Sequence, residues 1–309
     1  MSKARLRWVR WAGEFEGDRF TEFQSQLSKY NSVRFQPSLP SEAAHDELAR
    51  EDVVARAEIE FVESQRRAIA SLTADIPEDA DGFIAWFERL KDIGPGQGDP
   101  LFQWLATAAT VEQMKWFLHQ EVAGEAGFED LLAMTQVKMS VQAKLEMARN
   151  FWDEMGRGSD KGMHGPMLER LAKHFELAPT ADTVVPESLA LGNTMVALAR
   201  HRRYAYHSVG ALGVIEMTAP TRAGYVDQGL RRLGVPAKER HYFAVHAVLD
   251  VKHSEAWNRE VLRPLVEEDP RRARAIGEGA VMRLWHGARS FERYRREFGL
   301  MIAPHSKAA

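Results

Sequence analysis

Apolar residues recur at three- and four-residue spacing along most of the chain, the period of a helix with one face on a core. The pattern predicts helices over 42–73, 80–92, 101–107, 111–134, 140–156, 164–176, 187–217, 220–233, 237–265 and 270–298. Their breaks carry the residues that stop helices: Gly156-Arg157-Gly158, Pro179, Pro186, Pro220, Gly234-Val235-Pro236 and Asp269-Pro270. Ser41 reads as the N-cap of the first long helix, and residues 1–40 read as an irregular or partly helical arm. No period-two alternation is long enough for a strand, so the fold class is all-α. The run Gly94-Pro95-Gly96-Gln97-Gly98-Asp99-Pro100 is the clearest boundary. It divides an N-terminal helical extension, 1–100, from a main helical bundle, 101–309.

Composition narrows what such a bundle does. The 309 residues are 45% hydrophobic and 28% charged, as expected of a soluble globular chain. A net charge of −3 argues against a nucleic-acid or anionic-membrane partner. No apolar run approaches the ~20 residues of a membrane span. No apolar signal-peptide core follows the basic start, so a cytoplasmic location is expected. The absence of cysteine excludes disulfides, thiolate metal sites, iron–sulfur clusters and a cysteine nucleophile. Neither a dinucleotide fingerprint nor a phosphate loop is present. Any metal must be held by His, Asp and Glu, which suits iron, manganese or zinc.

The strongest candidate for such a site is His246-Ala-Val-Leu-Asp250-Val-Lys-His253. On a helix, His246, Asp250 and His253 share one face. The residues between them are largely apolar, so the three side chains are expected to be buried and to need partners. A hydrogen-bonded structural cluster satisfies that need as well as a metal does. Glu216 stands among Leu212, Val214, Ile215 and Met217; Glu154 and His164 flank a glycine-rich turn. Glu121, Glu125 and Glu129 repeat at spacing four. Of these, Glu125 between small residues is the preferred inward carboxylate and Glu121 the alternative, with Glu129 expected to face solvent. Glu42-x-x-His45 has ligand spacing but sits at a polar helix start. Glu154, His164, Glu216, His246, Asp250 and His253, with Glu125 (or Glu121), are enough donors for two metal ions and excessive for one.

In order and separation these residues resemble the haem-oxygenase-like diiron oxidases. That family carries Glu, His, Glu and then His-x3-Asp-x2-His on a helical bundle, matched over roughly 110–265. The resemblance implies a haem-oxygenase-like bundle holding two Fe(II)/Fe(III) ions, with O2 as co-substrate and electrons from an external donor or reductase. It is closest to the members that oxygenate the nitrogen of amines and guanidines in biosynthesis, which add a further glutamate to the site. The implied substrate is a small-molecule amine. Alternatives are a same-fold oxidase that cleaves C–C bonds or desaturates an amino or fatty acid, and a metal-free binding or hydrolytic relative. The long extension before residue 100 reads as a dimerisation arm, so a homodimer is expected. Tyr204, His207, Arg240 and Tyr242 are the nearby candidates for substrate contact.

Overall fold

The computed structural model describes residues 11, 13–40, 43–124 and 127–300. The described residues form helices with no strand, the all-α architecture expected. Helix α1 (Gly17–Arg34) and α2 (Ala44–Ala68) are followed by α3 (Ala80–Ile93), α4 (Pro100–Thr107), α5 (Val111–Gly124) and α6 (Phe128–Thr135). Then come α7 (Val141–Glu154), α8 (His164–His174), α9 (Pro186–Arg200), α10 (Ala205–Arg232), α11 (His241–Trp257), α12 (Arg263–Glu268) and α13 (Arg271–Glu297). Ser41 and Glu42 lie outside the described residues, and His45 is exposed.

Helix α10 is the axis of the bundle. Its first half, from Ala205 to Val214, is buried almost all round, the mark of a helix with no solvent face. It packs on α4, α9, α11 and α13. Two glycines let α10 and α13 touch backbone to backbone: a Cβ at Gly210 would collide with the carbonyl of Ile276, and one at Gly279 with that of His207.

Several boundaries differ from the sequence pattern for local reasons. Residues 111–134 are two helices, because Gly127 takes a left-handed conformation (φ 88°) that ends the run. The stretch 187–233 breaks at 201–204 and not at Pro220, which sits inside α10. A proline there withholds a donor from the carbonyl of Glu216. Packing on four helices holds α10 together across that gap. Residues 258–262 form a π-helical turn between α11 and α12.

The arm is more ordered than its composition suggests. Phe20, Phe23 and Leu27 of α1 bury themselves against Phe61 of α2 and Ala190 of α9. Val62 of α2 and Ile69 just after it, with Phe83, Trp86 and Phe87 of α3, join the same core as α10 and α13. The 94–99 break is a tight junction: Asp99 caps Leu101 N–H at 3.0 Å, Pro100 opens α4, and Arg295 of α13 pairs with Asp99.

Candidate metal centre

Four elements carry ionisable side chains into one place. Helix α7 ends on Glu154, and the loop after it returns through an antiparallel Met155–Met163 bridge to start α8 at His164. The return needs glycine at 156, where φ is 60° and a Cβ would strike the backbone of Gly162. Glu154 and His164 are thereby brought together, His164 Nδ1 lying 2.7 Å from Glu154 Oε2. Glu216 comes from the middle of α10, and His246, Asp250 and His253 come from one face of α11.

Two groups of three donors result, each with its ligand atoms within 4.8 Å of one another: Glu154, His164 and His246, and Glu154, Glu216 and His253. Glu154 belongs to both. Glu154, His164, Glu216 and His253 are buried, and His246 is half-buried. Asp250 is buried and lines the same cavity but falls in neither group. Glu121 also lines the cavity, yet its carboxylate accepts the hydroxyl of Tyr294 at 3.1 Å and it joins neither group. Glu125 lies outside the described residues.

The nitrogens show how the site is set. His246 Nδ1 is 2.6 Å from the carbonyl of Tyr242, so that nitrogen carries the proton and Nε2 is the atom that could ligate a metal. His253 Nε2 donates to Asp153 at 3.0 Å, which turns Nδ1 toward Glu216 Oε2 at 3.4 Å. The Nδ1 atoms of His164 and His253 are buried and make no hydrogen bond despite these neighbours. Ligand atoms crowded together with no hydrogen bond between them are an arrangement that either a proton or a metal cation can resolve.

Protonation follows the same crowding. Burial pushes Glu154 up to about 8, with Glu216 and Glu129 adding to the rise and His246 and His253 opposing it. Burial and the charge of His253 hold His164 below the usual histidine range. For His253 burial acts downward, but Glu216, Asp153 and Glu154 outweigh it and raise it to about 9.

Three neighbours escape a reading of the sequence. Asp153 orients His253, and Asn150 donates to Glu216 at 2.6 Å. Both precede Glu154 within one helical turn, which was the available signal. Glu129, expected in solvent, is half-buried, lines the cavity and would contact a Cβ at Gly165 at 3.2 Å. The spacing-four argument fails for it because α6 restarts after Gly127 and resets the face. Among the suggested substrate contacts only Tyr242 reaches the cavity. Tyr204 bonds Glu63, His207 bonds Glu278 and Arg240 pairs with Asp227.

The fold and this centre define a class: a haem-oxygenase-like helical bundle with a carboxylate–histidine cluster in its core. The model of a family described as iron-containing redox enzymes matches residues 115–288, a span that contains every donor named above. The chain belongs to that family. Its fold is shared with a CADD-like protein of unknown function from Nostoc punctiforme, at 15% identity and a TM-score of 0.56, covering 71% of this chain and 97% of that one. A second structure of the Nostoc protein gives 15% identity and a TM-score of 0.54, with 72% and 98% covered. A protein with a haem-oxygenase-like fold from Shewanella denitrificans is more distant, at 13% identity and a TM-score of 0.48, with 71% and 91% covered. No curated protein matches the chain. Among the described residues no helix is long and apolar enough to cross a membrane.

Proposed function

We propose that this chain is a non-haem diiron, O2-dependent oxygenase that oxidises an amine or guanidine-type nitrogen of a small molecule. The observation that carries the reading is Glu154, a buried carboxylate common to two adjacent three-donor groups. One iron would be held by Glu154, His164 and His246, the other by Glu154, Glu216 and His253, with Asp250 beside them. Two irons supply O2 activation, with electrons from an external donor.

The chain's own residues do the rest. Asp153 accepts from His253 Nε2 and the Tyr242 carbonyl from His246 Nδ1, so the other nitrogen of each ring is the one that would be offered to a metal once deprotonated. Asn150 holds one oxygen of Glu216 and orients the other toward the cluster. Phe128, Leu168, Leu191 and Ile215 line the cavity and limit water around the centre. Glu121 and Glu129 line the same cavity and favour a cationic amine.

One observation favours the alternative of a same-fold oxidase acting on a C–C or C–H bond. Glu121 is engaged by Tyr294 and stands apart from both donor groups. Anaerobic Fe(II) titration followed by O2 exposure in stopped flow tests the diiron reading. Two irons per chain and a transient visible band are expected, and His246→Ala abolishes both. Failure to bind iron, or unchanged binding in His246→Ala, overturns it. Mass spectrometry of products from a panel of amines then separates nitrogen oxygenation from carbon chemistry.

A further inference from the structure

Tyr294 of α13 lines the cavity together with Glu154, His164, His246 and Asp250. It is 1% exposed, so its phenol meets no bulk solvent. Its single proton is donated to Glu121 at 3.1 Å, so Ser188, 2.7 Å away, donates to Tyr294. Burial and the Glu121 charge hold the phenol well above its usual pKa, and it stays protonated at neutral pH. A phenylalanine would fill the same space with no hydroxyl to satisfy. Tyr30 and Tyr204 also donate to carboxylates, Glu51 at 2.6 Å and Glu63 at 2.7 Å. Neither lines the cavity, and both tie α2 to its neighbours.

Tyr294 has in addition an aromatic path leading away from the cavity. The Trp116 indole of α5 meets its ring edge to face, with centroids 5.4 Å apart. Trp116 contacts Phe298 at 5.2 Å, and Trp104 of α4 stacks on Phe298 at 5.0 Å. Both indoles are half-buried, so the path runs from a buried phenol to rings that reach the surface. Arg293 lies over Trp116 at 5.9 Å but is paired with Glu297 at 2.8 Å, so its charge does not stand alone against an oxidised indole. In a chain without cysteine, indole and phenol are the side chains most readily oxidised by one electron.

We propose that Tyr294 is a redox-active residue that drains oxidising equivalents from the cavity, with Glu121 as its proton acceptor and Trp116 and Trp104 as its relay. When O2 has oxidised the iron centre and no amine is bound, one electron passes from the phenol to that centre. The O–H bond breaks and its proton goes to Glu121, leaving a neutral phenoxyl radical. An oxidised phenol that kept its proton would be a buried, strongly acidic cation, so the carboxylate at 3.1 Å is what makes the step accessible. One electron from a thiol or ascorbate in solvent, passed through Trp104 and Trp116, then restores the phenol as Glu121 returns the proton. The assignment rests on the diiron reading for the oxidant alone.

The test has two arms, both on the full chain. In the metal-stripped chain a photogenerated ruthenium(III) polypyridyl complex is the oxidant, and radicals are trapped by freezing and read by electron paramagnetic resonance. Ring-deuterated tyrosine separates phenoxyl from indole signals. Exposed radicals are consumed quickly, so the slowly decaying phenoxyl signal reports a buried tyrosine. That signal is expected in the parent and in Tyr204→Phe, and is lost in Tyr294→Phe. Glu121→Gln keeps the shape but cannot take the proton, and should lower the yield at least about tenfold. Trp116→Phe should lower it several-fold, because the external oxidant loses its way in. Should Tyr294→Phe fail to fold, Glu121→Gln decides. A signal that is absent from the parent, survives Tyr294→Phe, disappears instead in Tyr242→Phe, or ignores Glu121→Gln would overturn the proposal. In the second arm the Fe(II)-loaded chain meets O2 without amine, and the same Tyr294-dependent signal is expected. Its absence there, with the stripped-chain signal intact, counts against the iron centre as oxidant and leaves the Tyr294 route. Iron that binds and is oxidised by O2 with no Tyr294 signal in either arm does the reverse.

Discussion

Two buried glutamates in this bundle have opposite fates. Glu278 of α13 is 3% exposed and accepts from Arg66 at 2.7 Å, from Arg274 at 2.8 Å and from His207 at 3.2 Å. Burial acts to raise its pKa, but those three donors outweigh it and hold the carboxyl at about 2. Glu154 is 4% exposed and pushed the other way, to about 8, by burial first, with the Glu216 and Glu129 carboxylates adding to the rise and His246 and His253 opposing it without overcoming it. The first cluster brings its own cations and is complete. The second gathers acceptors around a place that could hold a cation. Satisfaction, and not burial, separates a structural ion cluster from a metal centre.

Glu154→Gln and Glu278→Gln break this comparison most directly. An amide at 154 removes the donor common to both groups, so loss of both irons is expected by metal analysis. Its effect on the metal-stripped chain should be small, since a carboxyl raised to about 8 is already neutral near pH 7. An amide at 278 points N–H groups at guanidinium donors and removes the charge opposite half-buried Arg66 and exposed Arg274, costing about 2 kcal/mol in chemical denaturation. Its iron stoichiometry should match the parent. If the two variants exchanged these phenotypes, the distinction would be wrong.

Legibility in the sequence follows the same division. The helices and the donors Glu154, His164, Glu216, His246 and His253 were visible because each depends on short spacing or local turn chemistry. The ordering of α1 was not, since it depends on Phe61 and Ala190 from distant segments. Pro220 misled because tertiary packing overrides a local helix breaker. Glu129 misled because one left-handed glycine changed the face of everything after it. Asp153 and Asn150 were hidden by ordinary surface chemistry; only the approach of α10 and α11 gives them partners.

Acidity supplies a third probe of the contrast. Glu154 and His253 both have folded-state pKa values above their unfolded ones, about 8 against 4.5 and about 9 against 6.5. Such groups bind protons more tightly in the folded state, so their contribution is full at low pH and is lost as pH rises through the folded values. Glu278 has the opposite sign, about 2 against 4.5, and its contribution is already complete above pH 4.5. The metal-stripped chain should therefore lose thermal stability between about pH 5 and 9. Loading iron replaces protons at the donors and should flatten or reverse that slope. A slope unchanged by metal, or absent in the stripped chain, would count against the centre.

The smallest effect expected is also the most discriminating, because it alters no donor. Asp153 accepts from His253 Nε2 and is itself held by Arg157 Nε at 2.6 Å, a residue of the loop joining Glu154 to His164. Arg157 takes a left-handed conformation, φ 54°, which ties the shape of that loop to the orientation of His253. Asp153→Asn keeps size and a hydrogen-bonding group but removes the charge that fixes the His253 tautomer. Iron affinity should fall about tenfold, with the loss confined to the ion bound by Glu216 and His253. A first iron should still bind normally through His164 and His246. Equal weakening of both ions would mean that Asp153 acts on the loop as a whole and not through His253.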